Sequence, residues 1–367
     1  LILLPMSEES STSVTRMKQI ALITSMVNFI VSIVLWGEFD SSSVQYQFVQ
    51  EFNSLSFCHF NLGIDGISLY FVLLTTLITP ICILSNWDNI NFGMKYFLIA
   101  FLLMETLLIA VFVVLDIMLF YIFFESVLIP MFLVVGIWGG SATRIRASFL
   151  LFLYTLAGSL FMLLAIMVIY YNVGSTDFAV ISLSDFSLGG QKILWLAFFL
   201  SFAVKTPLVP FHMWLPRAHA EAPLAGSILL AGLFLKLATY GYLRLLIGFM
   251  PNATLYFSPL VQTIAIVTLI YSSLATLRQD DFKDLLAYSS ISHMAIVVLG
   301  LFSNTIVGIE GAIALSIAHG VISPAMFTLV GGVLYDRFHT RVIRYYRGLT
   351  VYMPVFAALF FVTTAFN

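Results

Sequence analysis

Apolar residues run along this chain in stretches of about twenty, with polar and charged residues gathered between them; Phe97–Leu115 and Ser148–Tyr171 are two examples. Such a run matches the ~30 Å of hydrocarbon that a membrane helix crosses. The pattern predicts helices over about 18–36, 63–86, 95–114, 117–138, 148–171, 192–220 (interrupted), 224–247, 258–277, 285–302, 308–335 and 350–367. Leu1–Pro5 reads as the tail of an earlier helix. Backbone in lipid must satisfy its own hydrogen bonds, so only helix bundles and closed barrels span a bilayer. The polar–apolar alternation of barrel strands is missing from the chain. The expected fold class is therefore all-α: a polytopic transmembrane helical bundle.

Composition agrees. Hydrophobic residues make up 61% of the chain and charged residues 9%, where a soluble domain carries about a quarter charged residues. A formal net charge of −2 argues against nucleic acid as a partner and leaves membrane lipid as the surroundings. Cys58 and Cys82 lie too far apart for a metal knuckle or a redox pair, so they read as small packing residues and no metal is expected. No phosphate-cradling glycine loop and no Gly-x-Ser-x-Gly elbow occurs, so no cofactor site is expected in this chain.

Charge then tests the helix count. With sides alternating at each helix, one side collects Arg16, Lys18, Lys95, Arg144, Arg146, Arg217, Arg278, Lys283, Arg337, Arg341, Arg344 and Arg347. The other side receives Lys192 and Arg244, together with two acidic loops: about 37–62, with Glu38, Asp40 and Glu51, and about 172–191, with Asp177 and Asp185. Twelve against two is the bias that sets membrane topology, and a miscounted helix would scramble it. The basic side is expected to face the compartment of synthesis, mitochondrial matrix or bacterial cytoplasm.

A charge at the bilayer centre costs roughly 2.5–3.5 kcal/mol on insertion scales, so ionisable residues within helices mark candidate chemistry. They are Glu105, Glu125, Lys205, Lys236, His293 and His319, with Glu310 nearer a helix end. Prolines follow three of them at the same spacing: Pro130 after Glu125, Pro210 after Lys205 and Pro324 after His319. Proline lacks an N–H and clashes with the carbonyl four residues back, here Ser126, Thr206 and Gly320. Pro207 adds a second at Lys205, so a real helix break is expected there. Irregular backbone at membrane depth is tolerated inside protein or beside water, and ion transporters use it repeatedly. Thr75–Pro80 has the same spacing without a charge, so the spacing alone decides nothing.

The stretch FAVKTPLVPFHMWLPRAHAEAP at 202–223, with AGLFLKLATYG at 231–241 and DLLAYSSISHM at 284–294, resembles the signature of the antiporter-like membrane-arm subunits of respiratory complex I. These are relatives of the multi-subunit sodium/proton antiporters. GIDGIS at 63–68, FFESVLIPM at 123–131 and LYDR at 334–337 narrow the resemblance to one branch. Its wording is of mitochondrial type, nearest to plant, algal or protist versions, which implies the mitochondrial inner membrane, or alternatively a bacterial plasma membrane.

The resemblance implies the antiporter-like fold with two inverted five-helix repeats. Residues 1–94 would be N-terminal helices and a loop, 95–247 the first repeat and 258–367 an incomplete second one. It also implies that Glu125, Lys205 and Lys236 carry protons, with His293 and His319 continuing the polar axis; Glu105 is a further candidate only as an ionisable residue inside a helix. NADH, FMN, iron–sulfur clusters and ubiquinone would sit in other subunits of the complex. Expected partners are other membrane-arm subunits, including antiporter-like neighbours. A separate segment is expected to continue past Asn367, because a helix ending at membrane depth leaves carbonyls open.

On this reading Glu125 controls proton occupancy at Lys205; a carboxylate about 4 Å away would interact by about 4 kcal/mol at an effective dielectric near 20. Two rivals stand beside it within transport and assembly: a subunit of a sodium/proton antiporter complex, and a structural membrane-arm subunit that no longer pumps. A di-haem electron carrier would want two histidines on each of two helices, whereas His293 and His319 are one per helix.

Overall fold

The computed structural model describes residues 3–6, 11–51, 58, 60–90, 92–184 and 186–367, with Ser11 described by its backbone only. Asp185, counted above in the acidic loop, lies outside the described residues, as does the start of the segment Leu1–Pro5. Leu3–Pro5 form a turn rather than the end of a helix.

The first long helix, α1 (Ser11–Glu38), starts well before the expected boundary and is largely exposed along its length. It is followed by an element the hydropathy pattern hides: a hairpin of β1 (Gln47–Glu51) and β2 (Asn61–Ile64), antiparallel with Gln50 opposite Leu62 and Glu51 opposite Asn61. Asp65 then caps α2 (Gly66–Ser85) by accepting from the Ser68 amide, and the Ser68 side chain answers to the Asp65 backbone. α3 (Met94–Val113) follows. The next span is split into α4 (Ile117–Ser126) and α5 (Leu128–Trp138) by a turn at Val127, next to the Ser126 carbonyl that Pro130 leaves without a donor. Then come α6 (Arg144–Val173), the short α7 (Phe178–Ser182) and α8 (Leu188–Lys205).

α8 stops at Lys205, as the two prolines require. The chain turns through Thr206–Pro210 and a 3-10 segment (Phe211–Met213) before resuming as α9 (Trp214–Glu221). The groups freed at the break find partners: Trp214 Nε1 donates to Val204 O at 2.9 Å, and Val209 N to Thr268 Oγ1 at 3.0 Å. Backbone at membrane depth is stable only when satisfied in this way.

The next span is the centre of the molecule, buried throughout most of its length. It alternates between α10 (Leu224–Leu229), a π segment (Leu230–Phe234), α11 (Leu235–Gly241) and a second π segment (Tyr242–Ile247). Around it pack α12 (Pro251–Thr276), α13 (Phe282–Leu301) and α14 (Ile306–Phe327), the last running into a π segment (Thr328–Leu334) and α15 (Tyr335–Phe338). A 3-10 turn (Ile343–Tyr346), α16 (Leu349–Tyr352) and α17 (Pro354–Phe366) end the chain. Ten helices among the described residues are long and apolar enough to cross a membrane, and α17 is a shorter apolar one.

Contacts sort into two rims, as the alternating count requires. At the basic rim Arg341 bonds Ala220 O, Lys283 bonds Ala222 O at 2.8 Å, Asn89 bonds Asp336 at 2.8 Å and Arg344 pairs with Asp280 at 3.2 Å. At the other rim Asn61 bonds Asp177 at 2.7 Å, and Arg244 pairs with Asp65. Cys58 and Cys82 are both buried and free, in keeping with their reading as packing residues.

Candidate functional site

The closest cluster of the expected residues joins three helices. Lys236, on α11, is completely buried; its Nζ donates to Ala231 O at 2.5 Å and lies 2.7 Å from His319 Nδ1 on α14. The His319 ring stands 5.9 Å, centroid to centroid, from that of His293 on α13. Two glycines allow this approach. A Cβ on Gly232 would stand 3.4 Å from Gly320 O, and one on Gly320 would stand 3.2 Å from Gly232 O and 2.6 Å from Leu74. Backbone therefore meets backbone where α14 crosses the central span. A π segment carries one extra residue per turn, and such bulges recur at functional sites; Ala231, whose carbonyl Lys236 reaches, lies within one.

Lys205 is also buried, at the end of α8, but it is held differently. Its Nζ lies 4.4 Å from the centroid of Phe124 and 5.2 Å from that of Phe234, with no hydrogen-bonding partner among the described residues. Glu125 is half-buried on α4, near Ser159 of α6, and interacts with Lys205 electrostatically without an ion pair within 4.0 Å. The expected direct contact is thus replaced by an aromatic one. Adjacent residues on a helix point about 100° apart, so when Phe124 faces Lys205 its neighbour Glu125 is turned aside.

Glu105 is buried on α3, where it accepts from Asn28 Nδ2 of α1 at 3.2 Å and faces Cys82 of α2. No hydrogen bond or ion pair among the described residues links it to either lysine. Glu310 is exposed. Pro207 and Pro210 sit in the helix break, where their lack of N–H groups was expected to place them.

Other buried polar groups stand within a turn of each lysine along its helix. Ser201 Oγ, one turn before Lys205, and Thr239 Oγ1, one turn after Lys236, are buried without a partner among the described residues. Buried polar groups rarely stay unsatisfied, so these are positions where water bonds. Sequence reasoning also passed over His212, beside Pro210 in the break, over His219, whose two ring nitrogens are buried without a partner among the described residues, and over Lys283, treated above as a loop cation but buried. The histidines stand seven residues apart beside the break, a helical repeat that was the available signal.

Among the described residues no group of three His, Cys, Asp or Glu side chains could hold a metal ion. The family model for the membrane domain of NADH:quinone oxidoreductases and Mrp antiporters matches residues 115–367. NADH-ubiquinone oxidoreductase chain 4 of Mycosarcoma maydis is 74% identical over 367 residues, covering 100% of this chain and 76% of that one. The chain belongs to the NADH-ubiquinone oxidoreductase chain 4 family. Chain 4 of Prototheca wickerhamii and of Arabidopsis thaliana are each 52% identical, covering 95% of this chain and 70% of theirs. The chain-4 relative from Mycosarcoma maydis, a fungus, is thus nearer than these, against the expectation of plant, algal or protist wording. A chain of respiratory complex I from Thermus thermophilus has the same fold, with a TM-score of 0.86 at 30% identity, over 94% of this chain and 73% of that one. The archaeal membrane-bound sulfane sulfur reductase holds a chain with a TM-score of 0.82 at 22% identity, a likeness of fold alone. As a member of the chain-4 family the protein is an antiporter-like membrane-arm subunit of proton-translocating NADH:ubiquinone oxidoreductase.

Proposed function

We propose that this subunit carries protons along Glu125, Lys205, Lys236, His319 and His293, in a complex whose electron transfer takes place elsewhere. NADH, FMN, iron–sulfur clusters and ubiquinone belong, on this reading, to other subunits, and antiporter-like neighbours flank this one in the membrane arm. The membrane is the mitochondrial inner membrane, with the basic rim in the matrix. Residues 95–247 and 258–367 are read as the two inverted repeats, the first containing both lysines.

The observation that carries the proposal is the buried Lys236–His319 pair, 2.7 Å apart, with His293 beside it. An ammonium and an imidazole in hydrogen-bond contact exchange a proton without either leaving its place, and the imidazole offers its second nitrogen for the next step. His319 Nε2 is buried without a partner among the described residues and so is available for it. From Lys205 the path to Lys236 runs past Ser201 and Thr239 through water. The aromatic cage around Lys205 supports a cation by the ring faces, worth about 0.5–2 kcal/mol, and leaves all three N–H donors unclaimed by protein acceptors. Glu125 acts on that charge through space.

The test is proton pumping by the intact complex in sealed vesicles, expressed per electron passed from NADH to quinone. Lys205→Ala and Lys236→Met should each lower the ratio, with the complex assembled. Unchanged pumping in both would remove the relay and favour the structural-subunit reading. Sodium-dependent transport without quinone would favour the antiporter reading.

A further inference from the structure

One face of α6 borders a furrow that the relay leaves unused. At the basic rim, Thr143, Ala147 and Leu150 line a cavity of about 170 Å³ together with Arg146, Arg217 and Glu221. Tyr154, Ala157 and Phe161 line a second hollow of about 390 Å³, faced by Leu200, Val204 and Phe211 beside the helix break. The six α6 positions from Thr143 to Phe161 recur at spacings of four and three. They therefore form one stripe, with the two hollows stacked along it. Gly158 lets α6 and α8 close behind the second hollow, since an added Cβ would stand 3.0 Å from Val204.

The rim end is built for an anion. Arg146 and Arg217 are exposed, and neither forms an ion pair within 4.0 Å among the described residues. Glu221, the carboxylate beside them, is held instead by Ser141 Oγ and by Thr143 Oγ1, the latter at 2.8 Å. Two guanidinium groups against one carboxylate leave the lining positive, and guanidinium forks match phosphate oxygens. The hollow below decides what carries the phosphate. Between Leu150 and Phe161 the stripe runs about 16 Å at 1.5 Å per residue, close to half of the ~30 Å of hydrocarbon. That is the depth of an acyl chain in one leaflet.

We infer that this furrow holds an anionic phospholipid, with its phosphate on Arg146 and Arg217 and an acyl chain against Val204 and Phe211. Basic pockets between membrane helices receive anionic headgroups in this way. A free anion would use the arginines and leave the hollow unfilled; a zwitterionic lipid would fill the hollow without needing the excess of positive charge. Neither the relay nor the compartment faced by the basic rim enters into this site. Arginines at a membrane rim also extend into water with no ligand, and photolabelling separates the two cases.

The purified complex is placed in phosphatidylcholine vesicles with a minor share of phosphatidylglycerol carrying a diazirine on its acyl chain, then irradiated and digested. Label should appear on residues 150–161 and 200–211. Unlabelled phosphatidylglycerol should displace it, whereas extra phosphatidylcholine and inorganic phosphate should not. Arg146→Gln and Arg217→Gln should each weaken labelling about fivefold, and Arg278→Gln, at the same rim but outside the furrow, should leave it unchanged. A furrow without label while other spans are labelled means that a protein segment covers it, and overturns the site. Equal displacement by phosphatidylcholine, displacement by phosphate alone, or full labelling in both arginine variants overturns it too. The displacement arm uses the unaltered complex and so decides even where a variant does not assemble.

Discussion

At the scale of single residues, buried charge marks the site and its surroundings decide the role. Lys205 and Lys236 look alike in the sequence, each a lone cation in an apolar run, and the cost of burying them identified both. What faces them depends on helix rotation at a crossing, which no single sequence displays, so Phe124 rather than Glu125 was left for the structure to place against Lys205. Arg244 is a contrasting case, a cation with a fixed counter-charge. It pairs with Asp65 and bonds Tyr240 Oη at 3.1 Å. Asp65 lies outside the span, at the N-cap of α2, where burial raises its carboxyl but bonds from Arg244 and Ser68 outweigh this and hold it below its usual 3.8. A lowered carboxylate contributes stability above its unfolded value and loses it as pH falls through the folded one. The contribution should therefore vanish on acidification below about pH 4. Asp65→Asn leaves Arg244 without its counter-charge and should cost about 2 kcal/mol, between the exposed and fully buried limits. Thermal melting of the purified complex at neutral pH reads the loss, and the variant's acid limb should be flatter than that of the parent.

At the scale of elements, the expected spans match the observed helices because their length is imposed by the bilayer and hydropathy reports it directly. The break after Lys205 was legible for a different reason: Pro207 and Pro210 remove backbone donors wherever they stand. The hairpin at Gln47–Ile64 and the three π segments were not legible. A π segment differs from α-helix only in which carbonyl each amide chooses, and the apolar run reads the same in either case. The crossing of α14 with the central span was equally silent, since Gly232 and Gly320 are two glycines among 22. Their role makes a sharp prediction. Gly320→Val must displace Leu74 and push against Gly232 O, an overpacking worth about 1–3 kcal/mol. It should lower the melting temperature of the complex and, by moving His319 off Lys236, lower pumping per electron as well. Gly311→Val, in the same helix at a position with nothing within 4 Å, should leave both unchanged. Equal losses in the two variants would mean that helix propensity, not the crossing, sets the effect.

At the scale of the whole molecule, the bias of charge is the basis proposed for telling the two rims apart, and the proposed proton path takes its direction from it. Twelve cations against two gather at one rim, and the contacts there, from Lys283 to Arg344, are made among segments that the alternating count puts on one side. With the basic rim in the matrix, as proposed, the hairpin and the Asp65–Arg244 pair lie on the opposite surface. Thiol labelling tests the assignment cleanly, since Cys58 and Cys82 are both buried and contribute little background. Ser42→Cys places a thiol in the exposed loop before the hairpin, and Tyr345→Cys replaces a side chain that is 76% exposed at the basic rim. A membrane-impermeant maleimide should label the first in mitoplasts and the second only in inverted vesicles. The opposite pattern would turn the subunit over and reverse the direction proposed for transfer along Lys205 and Lys236, while leaving the Lys236–His319 contact untouched.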